Sequence, residues 1–187
     1  MPKATKDKPL SLTNCSIALA AAVIGDRWSL LILRELFHGA SRFGEFADIL
    51  GVARNLLAER LKNLEANGLV ARFALPQSPG RDGYCLTTMG ESTFPIIAAL
   101  MQWGDQWLDA GAGAPVVMQD RRTGQALGVA VAPINQTSHS IPSDSVCLSA
   151  GPGSKPGTQA RMLYIEARHL KGNALVSKKR LKLKGEI

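Results

Sequence analysis

The chain has 187 residues, of which 45% are hydrophobic and 20% charged, and its formal net charge is +7. A chain of this length and apolar content suits one ordinary domain with residues to spare, which excludes a collagen-like or wholly disordered protein. Its three cysteines exclude a disulfide scaffold and a four-cysteine zinc site within one chain.

The positive charge is concentrated towards the C-terminal end. Residues 1–108 carry 11 Lys and Arg against 10 Asp and Glu, whereas residues 109–187 carry 11 against 5. A positive net charge indicates an anionic partner such as nucleic acid. Because most of the excess lies in the last third of the chain, an argument for a DNA site in the first half depends on where individual cations lie.

The N-terminal region contains lysines followed by an alanine-rich run. Residues 1–13 lack hydrophobic periodicity, and we expect them to form a disordered arm. The apolar run from Ile17 to Ile24 is much shorter than the ~20 residues of a membrane-spanning helix. Charged residues follow it at once, so we expect a cytoplasmic protein with no membrane segment.

Four helices are predicted at the start of a domain that spans residues 14–108. A short helix runs from Ser16 to Ile24, and a second helix, from Arg27 to Phe37, is apolar around most of its circumference, which predicts a buried central helix. The third and fourth helices are predicted at about 43–50 and 53–67. Gly51 breaks the chain between them, as in a helix-turn-helix.

A β-hairpin is predicted after these helices, from a strand at 69–75, a polar turn cluster, and a returning strand at 84–87. Thr88 and Glu91 then predict a capping box at the start of a long helix that reaches about Leu108. We expect Pro95 to bend that helix.

The long helix has two apolar stripes. One stripe, which contains Phe94, Ile97, Met101 and Leu108, suits the core of the domain itself. The other predicts a homodimer interface. Its residues are Ile96, Leu100, Trp103 and Trp107. The alternative is a helix buried within one larger domain.

The remaining residues differ in character. Residues 109–153 are expected to form a β-rich extension, in which 115–120 and 125–132 pair as a hairpin and 145–149 form a third strand. Residues 154–187 are expected to be a basic tail, partly disordered, with one helix at about 159–171. Its cations are expected to add only non-specific affinity for DNA, unless that helix is structural.

The order of elements is that of a winged helix-turn-helix, and the sequence resembles the HxlR family of bacterial transcription regulators over about residues 14–108. The resemblance rests on CSI, IGDRWSLLILREL, SRFGEF, LAERLKNLEANGLV and YCLTTMG, which begin at residues 15, 24, 41, 57 and 84. It implies a MarR-like homodimer that binds operator DNA, mainly α with a small β-wing. Family members usually have Pro where Ser16 stands and a Ser or Thr cap where Ala53 stands.

Six residues are candidates for contact with double-stranded DNA: Arg27, Arg42, Arg54, Asn55, Lys62 and Arg81. A recognition helix enters the major groove with its N-terminal part, where Arg can pair with guanine and Asn with adenine. We therefore expect Arg54 and Asn55 to contact bases and Lys62 to contact phosphate.

The other three candidates are expected to position the domain on the DNA backbone. Arg27 and Arg42 each open a helix, and Arg81 is the cation in the wing tip, where it suits a minor groove or a phosphate. The alternative for all six is a solvated surface residue or an ion pair, such as that between Arg42 and Glu45.

Cys15 is the candidate redox sensor, because a helix N-terminus favours the reactive thiolate form of cysteine. It would make an oxidant or a small electrophilic molecule the effector. The alternative is a small apolar residue in a dimer contact, and Cys85 and Cys147 are expected to serve packing.

Catalysis is not expected. The histidines are scattered, and the sequence contains neither a phosphate-binding glycine loop nor a nucleophile elbow, so we predict no catalytic residue, metal or cofactor. The predicted function is a DNA-binding transcriptional regulator. The alternative is a winged-helix module that binds protein, with a basic tail and no specific operator.

Overall fold

The computed structural model describes residues 15–75, 80–108, 111–131 and 143–167. The chain divides into two compact units, Met1–Ser92 and Thr93–Ile187. The expected N-terminal arm, and the cations near the C-terminus, lie outside the described residues.

Four helices form most of the first unit, with bounds close to those predicted. They are α1 (Ser16–Ile24), α2 (Arg27–Phe37), α3 (Phe43–Leu50) and α4 (Arg54–Ala66). No single helix in the described ranges is long and apolar enough to cross a membrane. Taken together, α1 and α2 have the length and apolar composition of a membrane span, but the chain bends by 75° between them.

The central helix is α2, as predicted. Ile32, Leu33 and Leu36 of α2 are buried, and they lie in a core that includes Phe46 of α3 and three leucines of α4. Asp26 caps the start of the helix, because its carboxylate accepts hydrogen bonds from the backbone N–H groups of Trp28 and Ser29 at 3.0 Å each.

The wing consists of β1 (Val70–Ala74) and β2 (Asp82–Leu86), which pair antiparallel with Val70 opposite Leu86. The hairpin is therefore confirmed, but β2 begins two residues earlier than predicted. The strand pairing extends to Ala74 opposite Asp82, so Asp82 and Gly83, which were predicted in the turn, belong to β2.

The capping box predicted at Thr88 is wrong by one residue. Thr87 is the cap of a short helix, α5 (Thr88–Glu91), and its hydroxyl accepts from the N–H of Gly90 at 3.0 Å while donating to the carbonyl of Gly68 at 2.6 Å. Gly90 packs so closely on the carbonyl of Leu69 that a Cβ atom there would collide with it. This contact seats α5 against the start of the wing.

The predicted long, bent helix is two helices. After α5, a turn leads to α6 (Phe94–Trp107), so Pro95 lies in the first turn of α6. Proline is tolerated there, because the N–H that it lacks has no partner within the helix.

The second unit contains α6 and the residues that follow. Ala98 of α6 is buried with Met118 and Val146, and Phe94 and Met101 pack against this cluster. Met118 belongs to β3 (Val116–Asp120) and Val146 to β4 (Val146–Ala150), which pair antiparallel. The long helix thus shares a core with the β-rich extension, whereas the sequence pattern had grouped it with the winged helix.

The hairpin predicted between residues 115–120 and 125–132 is confirmed only next to its turn, where the N–H of Leu127 donates to the carbonyl of Met118 at 2.9 Å, and the third strand predicted at 145–149 is confirmed as β4. β3 pairs with β4, and the segment after the turn makes one isolated bridge to it, between Gln119 and Ala126. Further along this segment, the carboxamide of Gln102 accepts from the N–H of Val129 at 2.7 Å and donates to the carbonyl of Val129 at 3.3 Å. The N–H and the carbonyl of Val129 are therefore bonded to a side chain and not to a neighbouring strand.

A last helix, α7, covers residues 156–167. It begins three residues before the predicted start, and Met162 and Ile165 are buried. The first part of the expected basic tail is therefore a helix with a packed apolar face.

Candidate nucleic-acid interface

The recognition helix α4 is divided into a buried face and an exposed face. Leu57, Leu61 and Leu64 recur at intervals of three or four residues and are almost fully buried. The three candidate DNA contacts of this helix, Arg54, Asn55 and Lys62, are exposed. The core thus holds α4 by its leucines and leaves its polar side chains accessible.

The N-terminus of α4 lacks a side-chain cap, as the sequence predicts. Gly51, with φ +60°, ends α3, and Ala53 is the N-cap of α4. An alanine side chain cannot accept a hydrogen bond from the first amides of the helix. A phosphate or water remains as a partner for those amides, beside Arg54.

Arg42 occupies the N-cap position of α3 and its side chain is exposed. The carboxylate of Glu45 accepts hydrogen bonds from the backbone N–H groups of Ser41 and Arg42, at 2.9 and 3.0 Å. Glu45 therefore caps the start of α3 through the backbone, in the manner of a capping box.

The two remaining candidate cations also lie at the surface. Arg27 is exposed at the first position of α2, and its guanidinium carbon lies 4.3 Å from the centre of the Trp28 ring. This cation–π contact holds the charge at one place on the surface. Arg81 is exposed directly before β2, and its backbone carbonyl accepts from the N–H of Leu75 at 3.1 Å.

Two ion pairs connect α4 to its neighbours, and the sequence pattern did not reveal either of them. Near the middle of α4, Nε of Arg60 lies 3.5 Å from the carboxylate of Asp26. Near its end, the guanidinium of Arg72 on β1 lies 3.1 Å from the carboxylate of Glu65. The partners are far apart in sequence in the first pair, so no local spacing predicts it.

The surroundings of Asp26 favour its charged form. Partial burial raises the pKa of its carboxyl, but hydrogen bonds from Ser29 and Trp28 and the positive charge of Arg60 outweigh burial, so the pKa lies below its usual value. Asp26 is therefore an anion at neutral pH, matched to Arg60.

All six predicted DNA-binding residues lie in the first unit, whereas the predicted dimer residues lie on α6 in the second. Trp103 and Trp107 are 56% and 66% exposed, and Ile96 and Leu100 are also exposed on the same side of the helix. Leu108, which was expected on the core side, is exposed as well, because it follows the last turn of α6.

The three cysteines are free and half-buried. Cys15 is the N-cap residue of α1, and its side chain makes no capping hydrogen bond. The thiol of Cys85 lies 3.6 Å from the carbonyl of Ala71 within the wing, which agrees with a packing role. Across the described ranges, no cluster of three or more His, Cys, Asp or Glu residues is arranged to hold a metal ion.

Comparison with known proteins agrees with this geometry. The model of the HxlR-like helix-turn-helix family matches residues 23–112. The uncharacterized HTH-type transcriptional regulator Rv3095 of Mycobacterium tuberculosis is 41% identical over 110 residues, which are 59% of this chain and 70% of that protein. The chain belongs to the HxlR-like helix-turn-helix family.

Two further proteins that this chain resembles are also transcription regulators by name. The HTH-type transcriptional regulator YodB of Bacillus subtilis is 36% identical over 93 residues, covering 49% of this chain and 83% of that one. The crystal structure of the candidate transcription factor PA1607 covers 67% of this chain and 88% of its own, with 36% identity and a TM-score of 0.61. This HxlR-like protein is a transcriptional regulator of the helix-turn-helix type and not an enzyme.

Proposed function

We propose that this regulator binds operator DNA as a homodimer, with the exposed face of α4 in the major groove. The observation that carries the proposal is the division of α4, whose leucines are buried while Arg54, Asn55 and Lys62 are exposed. A helix of 13 residues held in this way presents polar side chains along a surface that fits a major groove.

Each polar side chain has a separate role in this proposal. Arg54 and Asn55, at the start of α4, contact base edges, and Lys62, two turns later, contacts phosphate. Arg42 and Arg27, at the starts of α3 and α2, contact phosphates and set the register without reading bases. Arg81 reaches a minor groove or phosphate from the wing.

Dimerisation is proposed to use the exposed apolar stripe of α6. Trp103 and Trp107 are more than half exposed, and contact of so much apolar surface with water is unfavourable in free energy for a monomer. Large exposed apolar patches mark protein interfaces. Two copies joined at α6 supply two copies of α4, which matches an operator with two related half-sites. Operator DNA in a bacterium lies in the cytoplasm, and we place the regulator there.

The effector of the proposed regulator is an oxidant or electrophile that reacts with Cys15. Its support is the position of Cys15 at the start of α1, partly accessible and without a capping hydrogen bond. Treatment with diamide is expected to change the operator affinity of the wild-type protein and leave a Cys15→Ser variant unchanged. An equal response from both proteins would remove Cys15 from the proposal.

The decisive experiment is protection of genomic DNA fragments by the purified protein. We expect protection of a duplex with two half-sites about one helical turn, ~10 base pairs, apart. Arg54→Ala combined with Asn55→Ala should abolish the protection while the unfolding temperature stays unchanged, since both side chains are exposed. A protein that protects no defined duplex would instead fit the alternative, a winged-helix module that binds protein.

A further inference from the structure

The junction between α1 and α2 contacts the recognition helix α4 through one acidic residue, Asp26. α1 ends at Ile24, Gly25 follows, and Asp26 is the N-cap of α2. A Cβ atom at Gly25 would lie 2.5 Å from the carbonyl oxygen of Ala21, so the chain turns too tightly there for a side chain. The tight turn holds the carboxylate of Asp26 at a defined place.

That carboxylate has partners on two helices. One of its oxygens accepts hydrogen bonds from the N–H groups of Trp28 and Ser29 within α2. The same oxygen lies 3.5 Å from Nε of Arg60 on α4. The cap of α2 and the counter-charge of Arg60 are thus the same atom.

Arg60 is less accessible than the other cations of α4. Its side chain is 29% exposed, and its Nε atom is buried and makes no hydrogen bond. A second, weaker ion pair joins its Nη1 atom to Glu59 at 3.9 Å. The atom of Arg60 that lies nearest Asp26 is therefore shielded from solvent.

We infer that Arg60 is a positioning residue for DNA recognition, which holds α4 in register on the start of α2 through Asp26. It lies six residues after Arg54 and two before Lys62, between the proposed base and phosphate contacts. A small rotation of α4 would move those side chains out of register with the base edges. The inference rests on the proposed operator binding.

Variants of Asp26 and Arg60 distinguish a loss of positioning from a change in general electrostatic attraction to DNA. Asp26→Asn keeps a good N-cap and removes only the charge, and Arg60→Gln removes the opposite charge. The first variant raises the net charge by one and the second lowers it by one. General attraction to DNA therefore changes in opposite directions, whereas loss of positioning changes specificity in the same direction in both.

The measurement is the affinity for an operator duplex and for a random duplex at one salt concentration, with the unfolding temperature as a separate readout. We expect each variant to lower the operator-to-random ratio about fivefold, and the double variant to lower it no further, because all three lose the same pair. The matched control is Arg72→Gln, which breaks the pair with Glu65 near the C-terminal end of α4 and should leave the ratio unchanged.

Three results would overturn the inference. Additive losses in the double variant would mean that the two residues act independently. A fall in unfolding temperature with an unchanged ratio would mean a purely structural pair. An equal loss of operator and random affinity in Arg60→Gln, with an unchanged ratio and a smaller salt slope, would mean that Arg60 contacts phosphate.

Hydrogen exchange on the DNA-free protein separates this inference from the proposed function. If α4 is held by the pair, amides at 58–64, which are hydrogen-bonded within α4, should exchange about fivefold faster in both variants and not in Arg72→Gln. A wild-type protein that does not prefer any operator would refute the proposed function but leave this result standing. Unchanged exchange in both variants would refute the positioning role.

Discussion

The exposed tryptophans of α6 allow a quantitative test of dimerisation. A whole Trp side chain offers about 250 Å² of surface, and Trp103 and Trp107 are 56% and 66% exposed, which leaves roughly 300 Å² on each copy. If half of that area is buried, at ~25 cal/mol per Å², the contribution is about 4 kcal/mol per copy. Because a two-fold symmetric contact contains both copies, the tryptophans contribute about 8 kcal/mol to the free energy of dimerisation.

Replacement of both tryptophans by glutamate should remove this contribution and place like charges in the contact. The dimer dissociation constant should then rise by about five orders of magnitude, because each 1.4 kcal/mol is worth a factor of ten. We expect Trp103→Glu combined with Trp107→Glu to sediment as a monomer at micromolar concentration, where the wild type is a dimer. Operator affinity should fall sharply with it.

The matched control for this prediction lies on α7 of the same unit. Leu163 and Tyr164 are 68% and 56% exposed, similar to the two tryptophans. Leu163→Glu combined with Tyr164→Glu adds the same charge and should leave the dimer intact. A tryptophan double variant that stays dimeric would refute the reasoning, and a control that becomes monomeric would move the interface to α7.

Three further predictions concern DNA contacts, pH and the C-terminal region. Arg54→Ala should lose about 1–3 kcal/mol of discrimination at one base pair, whereas Arg81→Ala should weaken operator and random DNA alike, as titrations against operator variants would show. The folded state lowers the pKa of Asp26, so its contribution to stability is complete above the unfolded pKa of ~3.9 and is lost as pH falls through the lower folded value. Unfolding temperatures of Asp26→Asn should accordingly decline less on acidification than those of the wild type. Deletion of residues 168–187 should flatten the dependence of DNA affinity on salt, whereas deletion of 158–187 should also lower the unfolding temperature by several degrees, because it removes buried residues of α7.

Local patterns predicted most of the first unit. The helices α1 to α4 are each bounded by local start or stop signals, such as Gly25 or Gly51, so their bounds follow from neighbouring residues. The exposed and buried faces of α4 follow from its own hydrophobic periodicity. The places of Arg54 and Lys62 on the surface were therefore predictable, although their contacts with DNA stay a prediction.

The predictions that failed concern residues whose partners are distant in sequence, or two neighbouring residues that suit the same position equally well. β3 pairs with a strand about thirty residues later, and Gln102, on another element, bonds to the backbone of Val129; neither contact follows from neighbouring residues. Two adjacent threonines both suit a helix cap, and Thr87 is the one that also bonds to the carbonyls of Gly68 and Leu69, about twenty residues earlier in the chain. The pair between Asp26 and Arg60 likewise exists only after α2 and α4 have packed.

The close approach of Gly90 to the carbonyl of Leu69 has a consequence for genetic screens. The collision of a Cβ atom with a backbone carbonyl cannot be relieved by a change of rotamer, so every other amino acid is excluded alike. Loss-of-function alleles at codon 90 should therefore form one phenotypic class whatever the new residue. Alleles at codon 54, where the side chain points into solvent, should instead form a graded series, and some of them should acquire a new target site in place of the old one.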